Sequence, residues 1–203
     1  MQVIGITGGT GSGKTTALGV LESMGVRVID CDDVYHELLE TNKELISAIE
    51  ERFNGVCIDG VLDRKKLGSK VFTDPKLLAE LSVITHKFVS LEVERILDWE
   101  EKEGHSAVAI DAIALIESGL SKLCSPIIGI YAPEEIRIKR IMDREGVSRE
   151  YARLRIRAQK PESWFNENCD LIINNDGSID EFEKLCRERF VALLEEEKSN
   201  GHF

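Results

Sequence analysis

The chain has 203 residues, with 26 basic against 37 acidic and a formal net charge of −11. At 42% hydrophobic and 31% charged it has the composition of a globular domain rather than a disordered chain, and no apolar run approaches the roughly 20 residues needed to span a bilayer. The acidic excess counts against a duplex nucleic-acid surface and against attachment to anionic lipid by charge.

The opening MQVIGITGG has no basic flank and no long apolar core, so it reads as a first strand over residues 3–7 and not as a signal peptide. A glycine-rich turn follows. Residues 15–24 then carry helical spacing, with Leu18, Leu21 and Met24 on one face, and Gly25 ends the helix before a short strand at 26–29. Strand, glycine turn, helix, strand is the beginning of a parallel α/β sheet. From Val34 to about Glu103 the pattern is mostly helical. Leu38, Leu39, Leu45, Ile46, Ile49 and Phe53 fit a helix pair interrupted near Thr41 and Asn42, residues 54–60 are turn-rich, and Leu77 to Leu97 continue the helical period. So much helix between two strands predicts an inserted helical subdomain. Strands are predicted at 107–110, closed by Asp111, at 127–131, and at 171–173. A final helix over 181–198 is capped by Ser178 or Asp180. The segments divide as a core of 1–33, 104–133 and 168–203, a helical subdomain of 34–103, and a lid of 134–167. Five widely spaced cysteines without a C-x-x-C pair predict free thiols in a reducing cytoplasm, not a zinc site.

GGTGSGKTT contains G-x-x-x-x-G-K-[ST] as Gly8, Gly13, Lys14 and Thr15. Glycines let successive backbone N–H groups turn onto one phosphate, and the helix that starts there adds the positive end of its dipole. Lys14 reaches the β- and γ-phosphates, and the Thr15 hydroxyl can ligate Mg²⁺. Gly9, Gly11, Ser12, Gly13, Lys14, Thr15 and Thr16 are therefore the candidate nucleotide ligands. The motif does not separate kinase, ATPase and GTPase; the absence of an N-K-x-D sequence favours ATP.

The second predicted strand ends in Asp30, Asp32 and Asp33. Ligands of parallel α/β sheets gather at the carboxyl ends of strands. A carboxylate there can accept a proton from an attacking hydroxyl or hold Mg²⁺, while Asp32 or Asp33 can equally cap the helix expected from Val34. Residues 134–160 hold nine basic against five acidic side chains, a local +4 that leaves −15 for the rest. Most are expected on a solvated helix laced with ion pairs. Arg140 and Arg144, one turn apart, form the pair chosen for neutralising a phosphoryl group, and the turn at Gly146 suggests two helices joined as a lid.

Taken in order, ITGGTGSGKTT (6–16), VIDCDDV (28–34), DGVLDRKKLGSKVFTDP (59–75), His86, DAIALIESGL (111–120), IKRIMDREGVSREYARLRIRAQ (138–159) and CDLIINNDGS (169–178) resemble the dephospho-CoA kinase family along nearly the whole chain. The resemblance implies an α/β P-loop NTPase core with a parallel sheet, an inserted helical acceptor-binding domain and a helical lid. It implies ATP and Mg²⁺ as cofactors and dephospho-CoA as the small-molecule partner, with neither nucleic acid nor membrane. Asp32 matches the family's proposed base, acting on the ribose 3′-hydroxyl. Arg64, His86 and Glu117 fall on the acceptor side, and Arg140 and Arg144 match lid arginines. Asn175 falls in the loop expected beside adenine, and Gln159 matches the glutamine closing the lid. Asp111 sits where a carboxylate can hold the Mg²⁺ hydration shell.

Two departures lie on the acceptor side: His86-Lys87 where the family commonly has His-Pro, and Ile113-Ala114-Leu115 where it commonly has Pro-Leu-Leu. Both leave the phosphate ligands intact. The expected activity is ATP-dependent phosphorylation of dephospho-CoA. The alternatives are a P-loop kinase for another small acceptor, such as a nucleoside monophosphate, and a non-catalytic nucleotide-binding paralogue.

Overall fold

The computed structural model describes residues 1–200, with side chains to 195; residues 201–203 of the expected core segment lie outside the described residues. Strand β1 (Gln2–Gly8) runs into α1 (Lys14–Ser23), and β2 (Arg27–Asp30) into α2 (Cys31–Thr41). Then come α3 (Lys43–Phe53), the short strands β3 (Cys57–Ile58) and β4 (Val61–Leu62), α4 (Arg64–Val71) and α5 (Pro75–Lys102). Strand β5 (Ala107–Asp111), a 3₁₀ turn (Leu120–Leu123) and β6 (Ile127–Tyr131) follow. The chain ends with α6 (Glu134–Glu145), α7 (Arg149–Arg157), α8 (Glu162–Asn168), β7 (Leu171–Asn174) and α9 (Ile179–Asn200). No helix among the described residues is long and apolar enough to cross a membrane.

The chain forms two compact units: 1–29 with 100–203, and 30–99. In the first, five parallel strands lie in the order β2-β5-β1-β6-β7. Register pairs Ile4 with Ala109 and Ile6 with Ile128 on either side of β1. The central strand is covered on both faces, so Ile4 and Ile6 are fully buried, as are Ala109 and Ile128. They pack with Leu18 and Leu21 of α1 and with Phe182, Cys186 and Phe190 of α9. This is the near-continuous apolar run that distinguishes a buried parallel strand from an alternating one. Helices α6 and α7 make a hairpin around Ile138, Ile141, Ala152 and Ile156.

The 30–99 unit is helical except for one hairpin. Asp59 and Gly60 both take positive φ, 51° and 81°, the geometry of a two-residue primed turn between paired strands. The expected turn-rich segment at 54–60 is therefore partly strand, because Asp-Gly is the turn that brings β3 and β4 into antiparallel register.

The helix expected from Val34 begins at Cys31, because the capping residue is Asp30 and neither Asp32 nor Asp33. The Asp30 carboxylate accepts the N–H of Asp32 at 2.8 Å and of Asp33 at 3.3 Å, which satisfies two of the first-turn donors. At α9 the expected cap Ser178 is correct and Asp180 lies inside the helix. Glu181 accepts from Ser178 N and Oγ, and Ser178 Oγ accepts from Glu181 N, a reciprocal capping box. Helices α4 and α8 were not read from the sequence. Both are short, and the apolar period that exposes longer helices has no room to show in 8 and 7 residues.

Candidate active site

Strand β1 delivers the glycine loop to the start of α1. Gly13 occupies the capping position with φ 101°, a left-handed conformation, and no side chain caps the helix. Asn175 Nδ2 stands where a Cβ on Gly13 would be, so glycine is required on both counts. The N–H groups of Lys14, Thr15 and Thr16 find no acceptor among the described residues, since the first helix-closing bond is Ala17 N to Gly13 O. These are the orphan donors that an anion satisfies at a helix N-terminus.

Three consecutive carbonyls of the loop are tied from outside. Arg137 Nε donates to Thr10 O at 2.9 Å. Arg140 Nη1 donates to Gly11 O at 3.3 Å and to Ser12 O at 3.4 Å. Asn175 Nδ2 donates to Ser12 O at 2.8 Å, and its Oδ1 accepts from Arg140 Nη2 at 2.9 Å. Of the N–H groups across these three peptides, Ser12 N is taken by Gly9 O at 3.0 Å, while those of Gly11 and Gly13 face the opposite way from the held carbonyls, as in a backbone nest for phosphate. Burial pulls the Arg137 and Arg140 guanidiniums down from their usual value. Both stay charged at neutral pH. Ser12 Oγ is buried without a hydrogen-bond partner, an orphan that a phosphate oxygen can satisfy.

Lys14 Nζ donates to Asp111 Oδ1. Asp111 ends β5, which pairs with β1, and the two side chains are 17% and 9% exposed. A pair so shielded from solvent interacts far more strongly than one in water. Thr15 is exposed at the head of α1. One hydroxyl and one carboxylate, with no cluster of three or more His, Cys, Asp or Glu among the described residues, is an oxygen donor set suited to Mg²⁺. That ion keeps most of its waters and takes its remaining ligands from phosphates.

The structure brings Gly9, Gly11, Ser12, Gly13, Lys14, Asp111, Arg140 and Asn175 together around the loop. It does not bring Arg144 there: that side chain is 60% exposed and pairs with Glu145. Asn175 is 3% exposed and buttresses Ser12 and Arg140 with its carboxamide. The other loop arginine, Arg137, was missed among the nine basic residues. Its signal was weak but present: it stands three residues before Arg140, hence on the same helix face.

Of the residues expected on the acceptor side, Glu117 lies in the segment after β5, with Lys160 Nζ at 3.8 Å. Within the 30–99 unit, Asp32 is exposed in the first turn of α2. Arg64 opens α4, and its Nη2 donates to His36 Nδ1 at 2.7 Å. His36 was also missed, since a lone histidine carries no spacing signal. Burial raises the neighbouring Tyr35 above its ordinary value, and the charge of Arg64 partly offsets the rise. His86 is half-buried on α5.

A family model described as dephospho-CoA kinase matches residues 2–181. A dephospho-CoA kinase of Dehalococcoides mccartyi is 36% identical over 200 residues, covering 98% of both chains. One from Corynebacterium diphtheriae is 32% identical over 200 residues, covering 96% of this chain and 100% of that one. The solved dephospho-CoA kinase of Campylobacter jejuni superposes with a TM-score of 0.72 at 25% identity, covering 97% of this chain and 100% of that one.

Proposed function

The chain belongs to the dephospho-CoA kinase family, and on that footing we propose a division of labour among its residues in the ATP-dependent phosphorylation of dephospho-CoA to CoA. One observation carries the nucleotide half: the carbonyls of Thr10, Gly11 and Ser12 are all held outward by side-chain donors. The loop is thereby preorganised for a polyphosphate before one arrives, and preorganised charge stabilisation is where phosphoryl transfer gains most.

In this reading the loop N–H groups of Lys14, Thr15 and Thr16 bind the β-phosphate, and Lys14 leaves Asp111 to bridge β- and γ-oxygens. Thr15 would ligate Mg²⁺ and Asp111 would hold its water shell; the ion, when bound, would supply charge neutralisation on the phosphates. Asp32 accepts the proton of the ribose 3′-hydroxyl as that oxygen bonds to the γ-phosphorus. The bond from the γ-phosphorus to the β,γ-bridging oxygen breaks, and ADP leaves. Arg140 stands ready at the loop. Arg144, exposed on the same helix, joins the transferred group on closure of the 134–167 lid. Arg64, His86 and Glu117 orient the acceptor, and Asn175 fixes the loop that faces adenine. The cytoplasm, a reducing compartment in which five cysteines outside any disulfide persist, is the compartment we propose.

The test is an assay with ATP, Mg²⁺ and dephospho-CoA. Stoichiometric ADP and CoA are expected. ADP release independent of dephospho-CoA would sink the reading, and a panel with nucleoside monophosphates ranked by kcat/KM would then identify the acceptor.

A further inference from the structure

Thr10 is the one residue of the glycine loop whose backbone N–H, carbonyl and side chain are all held by side chains from elsewhere. Gln159, just past α7, accepts the Thr10 N–H on Oε1 at 2.9 Å and donates from Nε2 to Thr10 Oγ1 at 2.9 Å. Arg137 of α6 donates from Nε to Thr10 O at 2.9 Å and from Nη2 to Gln159 Oε1 at 2.7 Å. The four bonds close a ring of three residues: Arg137 holds the carbonyl and orients the glutamine, and the glutamine holds the amide and the hydroxyl.

The glycines on either side of Thr10 make room for this ring. A Cβ on Gly9 would run into Arg137 Nη2 and lie 2.9 Å from Gln159 Oε1, and a Cβ on Gly11 would lie 2.9 Å from the backbone oxygen of Arg137. Two glycines outside the G-x-x-x-x-G-K-[ST] pattern are thus explained by close approach of the α6–α7 segment. Arg137 is 7% exposed, and among the described residues no carboxylate lies within ion-pair distance of it. Its direct partners are neutral oxygens, Thr10 O and Gln159 Oε1, and the charge of Glu134 acts on it from further away. Arg137 touches the glycine loop directly, at the carbonyl of Thr10.

We propose that Arg137 is a positioning residue for nucleotide binding. Through Thr10 and Gln159 it fixes the curvature of the phosphate loop from the side its carbonyls face. This rests on the nucleotide half of the functional reading above. The ring also ties both ends of the α6–α7 hairpin to the loop, at Arg137 and at Gln159, so the hairpin and the phosphate site are set together.

The experiment measures ATP·Mg²⁺ binding by calorimetry without acceptor, then KM for dephospho-CoA and Tm, on the unsubstituted protein, Arg137→Ala and Gln159→Ala. Loss of a charge-assisted bond at a ligand-holding loop corresponds to roughly tenfold or more in affinity. Arg137→Ala is therefore expected to raise the Kd for ATP at least tenfold and leave KM for dephospho-CoA within about twofold, with guanidinium ion restoring part of the affinity. Gln159→Ala, which keeps the charge, is expected to give a smaller rise that guanidinium does not reverse. An ATP Kd unchanged in both variants would overturn the inference. So would a parallel loss for ATP and dephospho-CoA alongside a fallen Tm, with no recovery in guanidinium, because that is the mark of a packing role only. If Arg137→Ala fails to fold, Gln159→Ala and the milder Arg137→Gln decide on the same ATP Kd. ATP binding absent from the unsubstituted protein would overturn the functional reading and this inference together, whereas binding that is intact in every protein overturns this inference alone.

Discussion

Asp30 caps the helix on which Asp32 stands: its carboxylate accepts the Asp32 N–H at 2.8 Å. Two aspartates two residues apart thus divide the work. Asp30 ends a strand and starts a helix, while the Asp32 carboxylate takes no part in the cap.

The division makes Asp30 and Asp32 separable by mutation. Asp30→Ala is expected to lower stability by about 1 kcal/mol through loss of the cap, seen as a Tm lower by about 2–4 °C. Asp32→Asn is expected to leave Tm and ATP affinity in place and to cut kcat at least tenfold, approaching the range of about 10²–10⁴ if the full contribution of a positioned base is lost. An Asp32→Asn enzyme with unchanged kcat would remove the proposed base.

The Lys14–Asp111 pair predicts an asymmetry. Lys14→Ala removes a cation from the phosphates and should reduce kcat/KM by about 10²–10³. Asp111→Asn keeps the shape, releases the lysine from its carboxylate and removes the carboxylate proposed to anchor the Mg²⁺ shell. It should raise the Mg²⁺ concentration needed for half-maximal rate while ATP binding without metal stays equal or tightens. Titration of activity against Mg²⁺ and calorimetry in EDTA measure the two effects.

Asn175 is expected to matter through the loop. Asn175→Ala leaves Ser12 O without its shorter donor and frees Arg140 Nη2. Breaking such buried bonds costs about 1–3 kcal/mol. Asn175→Ala should lower Tm and weaken ADP as well as ATP, because the loop serves both. A change confined to adenine-containing ligands, with inorganic triphosphate bound as before, would instead give Asn175 a direct role at the base.

The thiols set an alkaline limit. Burial pushes Cys124 and Cys186 up to about 12 and Cys169 up to about 11, the last two with help from Glu183 and Asp170. These groups are neutral in the folded state where an unfolded thiol, near 9.0, has begun to ionise. The folded state therefore binds more protons between about pH 9 and pH 12, and stability is full below that window and falls as pH rises through it. Each group contributes a slope of up to about 1.4 kcal/mol per pH unit. Chemical denaturation at pH 8, 9 and 10 should show the fall. Thiol labelling at pH 8 should spare Cys124 and Cys186 until the protein unfolds, since only about one part in ten thousand is thiolate.

Sequence periodicity was sufficient where the chain is buried by its own apolar residues. The strands at Ile4, Ala109 and Ile128 and the long helix through Leu81 and Val93 announce themselves because burial demands a continuous or 3.6-residue apolar pattern. The short helices α4 and α8 and the β3–β4 hairpin did not, since capping and turn geometry at a few residues decide them. At the site, the run Gly8 to Thr16 is local in sequence and its chemistry is readable from spacing.

The sequence alone therefore determined the phosphate loop, the sheet that carries it and the family resemblance, all of which depend on neighbours along the chain. Only the tertiary structure decided which arginines serve the loop. Arg137, Arg140 and Arg144 are alike in charge and near-alike in spacing, yet the first two reach Thr10, Gly11 and Ser12 and the third pairs with Glu145 in solvent. Where a charged side chain ends depends on the carbonyls and carboxylates that lie across space from it. Thr10 and Gln159 are 149 residues apart, and no pattern along the chain encodes their meeting.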